Sequence, residues 1–364
     1  MCDQMYPSLE IDLRKLGDNV KKVTDICKKY GIIVAGTIKG TTGIPECAKV
    51  FADNGAVEIA SSRLNQIQYA KDIGIRLPML LLRIPMLSEV SEVIRLCDIS
   101  LNSEISVLRG LNEEAKKQGK VHRVILMADI GDLREGFWDK EEMTEAALTV
   151  EKEMENLHLF GIGTNVGCYG SVDPTKEKLN ELVDVAEKIE ERLGRRLEII
   201  SGGATSSLKR LIDGDIPERI NHLRLGEGIL LARDLEEFYG YDMSFLNRDV
   251  YTLKAEVIEV KDKPTHPVGQ LAVDAFGKTP EYTDRGIRKR ALLAIGKVDY
   301  GSSIEEIFPR IQGIEVIGAS SDHTIIDIED CHEDIKVGDV LEFDVDYASL
   351  CYLSNCPNVS IKFM

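Results

Sequence analysis

No apolar run in this 364-residue chain approaches the roughly 18 consecutive residues that a membrane span requires. The stretch from Met1 to Pro7 also lacks the basic-then-apolar pattern of an export signal. The expectation is a cytoplasmic protein with no membrane partner. Its eight cysteines (Cys2, Cys27, Cys47, Cys97, Cys168, Cys331, Cys351, Cys356) include no C-x-x-C pair, which argues against a disulfide framework and for reduced thiols. Basic residues are in deficit: 45 Lys and Arg against 62 Asp and Glu give a formal charge of -17. Nucleic-acid partners are therefore not expected, because displacing counterions from phosphates takes clustered cations. Internal repeats and low-complexity segments are missing too, which excludes a solenoid or a disordered tail.

What is present is an ordinary globular share of apolar residues, 43%, on a chain long enough for a large domain and a smaller one. From Ile32 to about Gly228, short β-branched runs alternate with amphipathic stretches. The strand candidates are Ile32–Lys39, Ala56–Ser61, Pro78–Ile84, Asp98–Ser103, Arg123–Ile130, Leu157–Thr164, Leu197–Ser201 and Leu223–Gly226. They number eight, which closes a parallel barrel; an open doubly wound sheet is the competing architecture. Helical spacing is clear over Leu13–Lys29 and Thr175–Leu193. Leu9–Leu13 alternates like a strand; it is counted within the barrel region, the alternative being that it is a strand of the second domain. Past Arg233 the period becomes that of strands: Leu253–Val260, Gln270–Phe276, Arg290–Val298, Ile314–Ile328, Val340–Val345 and Asn358–Phe363. The expected fold is a (β/α)8 TIM-type barrel over residues 8–233 followed by a mostly-β domain over 234–364.

In such a barrel the chemistry sits at the C-terminal ends of the strands. Those ends carry Lys39, Ser61-Ser62-Arg63, Arg83, Asn102-Ser103-Glu104, Asp129 and Arg134, Thr164-Asn165, Ser201-Gly202-Gly203-Ala204-Thr205, and Arg224-Leu225-Gly226-Glu227-Gly228. A lysine closing an apolar first strand is a Schiff-base candidate if the barrel mouth desolvates its amine; a rim lysine reaching into water is the other reading. The glycine loops after strands seven and eight are where barrels commonly bind phosphate. Together, lysine and loops point to a phosphate-bearing aldehyde cofactor.

These residues resemble the alanine-racemase-like barrel enzymes, and within them the alanine/ornithine racemase group, over nearly the whole chain. The resemblance implies pyridoxal 5'-phosphate carried on Lys39, with Arg224 of Arg-Leu-Gly-Glu-Gly facing the pyridine nitrogen and Arg134 helping to hold cofactor and substrate. It also implies that Tyr347 of Tyr347-Ala-Ser-Leu-Cys351 reaches the phosphate, beside Gly203, Ala204, Thr205, Gly226 and Glu227. A second reading of Arg224 is a rim ion pair with Glu227. The expected reaction is racemisation of an amino acid, one base on each face of Cα. A homodimer in which the β-domain of one copy completes the site of the other is implied as well.

Several positions depart from the alanine-specific pattern. Gly43 stands where the family has a tyrosine beyond the lysine, and Asn165 where it has a histidine beneath the ring. The tyrosine of its Gly-Tyr-Ala-Asp-Gly motif is not reproduced in Ile295-Gly-Lys-Val-Asp299-Tyr300-Gly301. Lys39 is the base expected on one face, and Tyr300 and Asp299 are the candidates for the other, against the alternative of an ordinary turn. Gly318-Ala-Ser-Ser-Asp322-His323 and Leu101-Asn-Ser-Glu104 are similar to ornithine-type racemases. Glu104 and Asp322 are accordingly candidates for a distal ammonium group of ornithine or lysine, while His323 reads as a structural histidine or a substrate contact. Two rivals remain. One is a D-threonine-aldolase-like lyase, for which His332-Glu-Asp334 has metal-ligand spacing; no metal is expected, since that run reads as a solvated acidic turn. The other is a pyridoxal-phosphate-binding regulatory protein without turnover, which would resemble the barrel alone.

Overall fold

The computed structural model describes residues 5–273, 277, 279 and 281–364. Strand β1 (Ser8–Ile11) leads into helix α1 (Leu13–Lys29), where Leu16, Val20, Val23 and Cys27 recur at helical spacing and are buried. Eight strands then pair in parallel: β2 (Ile33–Thr37), β3 (Glu58–Ser61), β4 (Met79–Leu81), β5 (Ile99–Asn102), β6 (His122–Ala128), β7 (Leu157–Thr164), β8 (Ile199–Ser201) and β9 (His222–Leu225). They follow one another in sequence order, and β9 returns to β2 with Ile33 opposite His222, so the barrel is closed rather than an open sheet. Between and after the strands come α2 (Pro45–Asp53), α3 (Leu64–Asp72), α4 (Val90–Leu96), α5 (Ile105–Lys117), α6 (Lys140–Glu153), α7 (Lys176–Leu193), α8 (Leu208–Ile212), α9 (Glu227–Leu230) and α10 (Asp234–Tyr239). Ala35, Ala60, Leu80, Ile99, Leu101, Ile125, Met127, Phe160 and Ile199 form one buried apolar cluster. The ends of α7 follow the chemistry of its sequence: Thr175 accepts from the Lys178 amide at 3.2 Å, and Gly194 closes the helix in the left-handed conformation.

The chain divides into two units, Arg14–Asn247 and a β-unit made of the segment up to Leu13 together with Arg248–Met364. Residues 234–247 thus go with the barrel rather than with the β-domain. The reason is local: Asn247 donates its amide to Asn19 Oδ1 at 2.7 Å, and Asn19 Nδ2 donates to the carbonyls of Ile229 and Asn247. Leu235, Met243 and Leu246 are buried along the same segment.

The β-unit contains β10 (Tyr251–Pro264), β11 (Ile287–Leu293), α11 (Lys297–Tyr300), β12 (Ile307–Pro309), β13 (Glu315–Ala319), β14 (Thr324–Asp327), β15 (Val340–Val345), α12 (Tyr347–Leu353) and β16 (Ser360–Phe363). Its sheet runs β12-β15-β10-β11-β14-β13, and β1 joins it antiparallel to β10 and parallel to β16. Three expected strands differ. Ile314–Ile328 is a hairpin of β13 and β14 turning through Ser320–His323, because Ser-Ser-Asp-His supplies the polar turn. Arg290–Val298 ends at Leu293, where Gly296 and the Asp299 carboxylate start a helical turn instead. Of Gln270–Phe276, residues 270–273 are not in a strand and 274–276 lie outside the described residues. Among the described residues no helix is long and apolar enough to cross a membrane, and the seven described cysteines are thiols rather than disulfides; Cys2 lies outside them.

Candidate active site

Lys39 opens a single helical turn, Lys39–Thr41, immediately beyond β2 and the buried Ile38. The side chain is exposed, so the desolvation expected of an amine inside the barrel is not seen. Beyond it, Gly43 adopts φ +78, and a Cβ there would stand 2.5 Å from Cβ of Gln66. On this backbone a side chain at position 43 would clash with Gln66, and glycine is what the conformation calls for.

Residues at the ends of other strands gather at the same end of the barrel. Glu104 stands two residues past β5, exposed, at the start of α5. Arg134, in the loop after β6, forms an ion pair with Glu135 and donates to Cys168 Sγ at 2.9 Å. That loop also contains Asp132, whose carboxylate accepts the backbone amides of Cys168, Tyr169 and Val172 and so fixes the loop after β7. Asn165 begins this second loop.

Arg224, on β9, is only 5% exposed. Its Nη1 donates to Ser201 Oγ and its Nη2 to the Thr164 carbonyl at 2.7 Å. The alternative reading, a rim ion pair with Glu227, is therefore not what the guanidinium makes. Burial pushes its pKa down to about 10, with the Glu135 charge working the other way, so it stays a cation at neutral pH.

The two glycine loops are stitched together: Thr205 Oγ1 accepts the Gly228 amide at 3.0 Å, and the Gly203 carbonyl accepts the Arg224 amide at 3.0 Å. Gly203 has φ +114, and a Cβ there would stand 2.8 Å from Ser207 Oγ, so glycine is required for the loop to turn this tightly. Ala204 precedes the helical turn Thr205–Ser207 and accepts the Ser207 amide at 3.0 Å. Gly226 precedes α9, and Glu227 opens it. The buried Glu227 carboxyl is pushed up to about 8, first by burial and then by the neighbouring Asp234.

Three buried polar atoms at these strand ends have no hydrogen-bond partner among the described residues: Thr37 Oγ1, Asn102 Oδ1 and Asn165 Nδ2. Orphaned buried polar atoms are costly, and their gathering at the lysine end suits a polar ligand better than it suits packing. A phosphate-bearing heteroaromatic cofactor fits this donor set: an amine, a buried guanidinium, and two backbone loops rich in glycine.

The remaining candidates belong to the β-unit. Asp299 and Tyr300, on α11, are both buried. The Asp299 carboxylate accepts from the Gly296 amide at 3.0 Å, from Cys356 Sγ at 3.3 Å and from Asn358 Nδ2 at 3.5 Å. Thr324 Oγ1 donates to the Ile295 carbonyl at 2.8 Å, so the Tyr300 hydroxyl, 3.0 Å away, donates to Thr324. Neither group is presented to solvent in this conformation. Asp322 and His323 lie exposed in the β13–β14 turn, which the amides of Lys297 and Val298 tie to α11 through the carbonyls of Ser320 and Ser321. Tyr347 is half-buried at the first position of α12. Sequence reasoning passed over Asp132, Glu58 and His222; the first looks like a loop acid, and only β9's alternation places His222 on the same face as Arg224.

A barrel of this topology joined to such a β-unit defines a known class of fold. The alanine racemase of Clostridium difficile 630 superposes with a TM-score of 0.75 at 21% identity, over 99% of this chain and 96% of that one. In sequence, the ornithine racemase of Acetoanaerobium sticklandii is 41% identical over 346 residues, 95% of this chain and 96% of that protein. The lysine racemase of Thermotoga maritima is 39% identical over 355 residues, 98% of each. Residues 11–234 match the family model of the alanine racemase N-terminal domain, and the chain belongs to that family.

Proposed function

We propose that this protein is a pyridoxal-phosphate-dependent racemase of basic amino acids, with ornithine the first choice. The observation that carries the reading is the near-full-length similarity, at about two residues in five, to racemases of ornithine and of lysine.

In this reading Lys39 holds the cofactor through Nζ. Gly203, Ala204, Thr205, Gly226, Glu227 and Tyr347 would hold its phosphate, Asn165 would contact its ring, and Arg224 would be the partner of its ring nitrogen. When bound, the cofactor acidifies the Cα hydrogen by withdrawing its electrons. Arg224 orients the ring without giving up a proton, since a guanidinium remains charged throughout the working pH range. Arg134 receives the substrate carboxylate, its own charge balanced by Glu135 in the meantime. Lys39 moves the Cα proton on one face. For the opposite face the α11 turn supplies the group: Tyr300 and Asp299 remain candidates, and Lys297, the ionisable side chain of that turn that keeps solvent exposure, joins them. Glu104 and Asp322 receive the distal ammonium. A homodimer, in which the β-unit of one copy completes the barrel mouth of another, and a cytoplasmic location, in keeping with the reduced thiols, belong to the same reading.

The test is the absorbance spectrum of the purified protein before and after borohydride, followed by deuterium uptake at Cα of L-ornithine, L-lysine, L-alanine and L-serine in heavy water. The expected result is a visible band that reduction fixes on Lys39, with exchange and loss of optical activity for ornithine. A colourless protein that exchanges none of the four overturns the proposal.

A further inference from the structure

Arg224 is a buried cation with no carboxylate within ion-pair distance among the described residues, and its side chain engages Ser201 and Thr164 instead. Ser201 Oγ lies 2.6 Å from His222 Nδ1, and His222 Nε2 lies 3.3 Å from Glu58 Oε2. Ser201 and His222 are 0% exposed and Glu58 4%, so the row runs through the barrel interior, away from water. The register puts it there. His222 and Arg224 are two apart on β9 and share a face, Ser201 pairs with His222, and Glu58 begins β3 opposite Ala35 of β2.

The two ends of the row, a group that only donates and a group that only accepts, suggest one direction for the hydrogen bonds between them. A guanidinium can only donate, so Ser201 Oγ accepts from Arg224. At the other end the Glu58 carboxylate can only accept, so the imidazole proton is placed on Nε2, and a neutral ring then offers bare Nδ1 to the serine's own proton. Donors point one way from cation to anion, an arrangement in which each bond polarises the next. A buried guanidinium needs a compensating charge, and here the compensation arrives through three hydrogen bonds rather than by contact.

We propose that Glu58, His222 and Ser201 are positioning residues that hold Arg224 charged and oriented at the barrel mouth and, through it, set the electron demand at the ring nitrogen of the bound cofactor. This rests on the reading of Arg224 as the partner of that nitrogen. Distance is the point of the device. A carboxyl beside the ring would be a proton source for the nitrogen whenever it was protonated, whereas Glu58 at the far end supplies the counter-charge without placing an acid there.

The experiment uses the holoenzyme with Glu58→Gln, Ser201→Ala and the double variant, all of which retain side-chain volume closely. Side-chain nitrogen NMR reads the His222 tautomer, the visible absorbance band is titrated with pH, and kcat and KM are measured on L-ornithine. In the parent protein His222 carries its proton on Nε2. In Glu58→Gln that preference weakens, the band's titration midpoint shifts, and kcat falls about tenfold with KM within about twofold, corresponding to loss of about 1.4 kcal/mol of transition-state stabilisation. Once Ser201→Ala has cut the row, Glu58→Gln adds no further change in band or kcat. A His222 protonated on Nδ1, an unmoved band in Glu58→Gln, or additive effects in the double variant would each overturn the inference. Failure of borohydride to fix the cofactor on Lys39 would instead strike the functional reading, and the tautomer would still decide the hydrogen-bonded row by itself.

Discussion

Substituting Asp132 by Asn should release the loop that begins at Asn165. Asp132 is 1% exposed; its Oδ1 accepts the amides of Cys168 at 3.3 Å and Val172 at 3.4 Å, and its Oδ2 that of Tyr169 at 3.0 Å. Burial alone would raise its pKa, but the amides of Gly170, Cys168, Tyr169 and Val172 outweigh it and hold the carboxyl below its ordinary range. An asparagine is nearly isosteric, yet one oxygen becomes an NH2. In one orientation that group faces the Tyr169 N–H, and in the other it faces those of Cys168 and Val172, so at least one amide loses its acceptor. Bonds to a charged group are worth about 1.5–3 kcal/mol each, and these are long, so the low end applies. With the loss of charge at the surviving contacts, the loop should open more easily by about 2 kcal/mol, roughly a thirtyfold change in the opening equilibrium. Amide hydrogen exchange at Cys168, Tyr169 and Val172 reads this directly. Because the folded pKa is depressed, the parent's protection is present at neutral pH and is lost as pH falls through the folded value; Asp132→Asn has no such acid step. Unchanged protection at the three amides would refute the reasoning.

Three further outcomes are expected. The Glu227 carboxyl, at about 8 in the fold against an ordinary value of 4.5, makes the folded state bind the extra proton between those limits, so stability falls as pH rises across them. In the cofactor-free protein Glu227→Gln should therefore raise the Tm more at pH about 8 than at pH about 5; an equal offset contradicts this. Gly43→Ala forces a Cβ to 2.5 Å from Gln66 at a positive φ and should cost roughly 2–4 kcal/mol, seen as a lower urea midpoint at unchanged slope. An unshifted midpoint would show that the turn gives way freely. Finally, no cluster of three or more metal-ligating side chains is found among the described residues. Racemisation should survive dialysis against a chelator, and a loss restored by a divalent ion would favour the lyase instead.

The barrel was legible because most of its strands are short apolar runs, several of them β-branched, with polar or glycine residues close behind. Lys39, Asn165, the Gly203 and Gly226 loops and Arg224 were legible for the same reason, as polar residues at strand ends. The Glu58–His222 contact was not, since the two are 164 residues apart and only barrel closure brings them together. Ile314–Ile328 read as one strand because β-branched residues flank Ser320–His323 on both sides and hide the turn. Nor does sequence tell a buried acid engaged in capping from a catalytic one; Asp299 stands one residue from Tyr300 in either case, and only its contacts with Gly296, Cys356 and Asn358 show what it holds.

The position of β1 has a consequence for how the molecule is made. Ser8 pairs with Lys254 and with Ser360, so the seam of the β-unit unites a segment translated early with segments translated much later. Contacts that bridge such separations form late, because a long loop must close before they contribute. On the ribosome Ser8–Ile11 has to wait, unpaired, until both β10 and β16 have emerged. A nascent chain stalled before Ser360 would leave one edge of that strand exposed, and an open strand edge is where chains adhere to one another. Correct folding of the β-unit therefore depends on a strand about 350 residues further along the chain, and deleting β16 should yield aggregates rather than a soluble barrel.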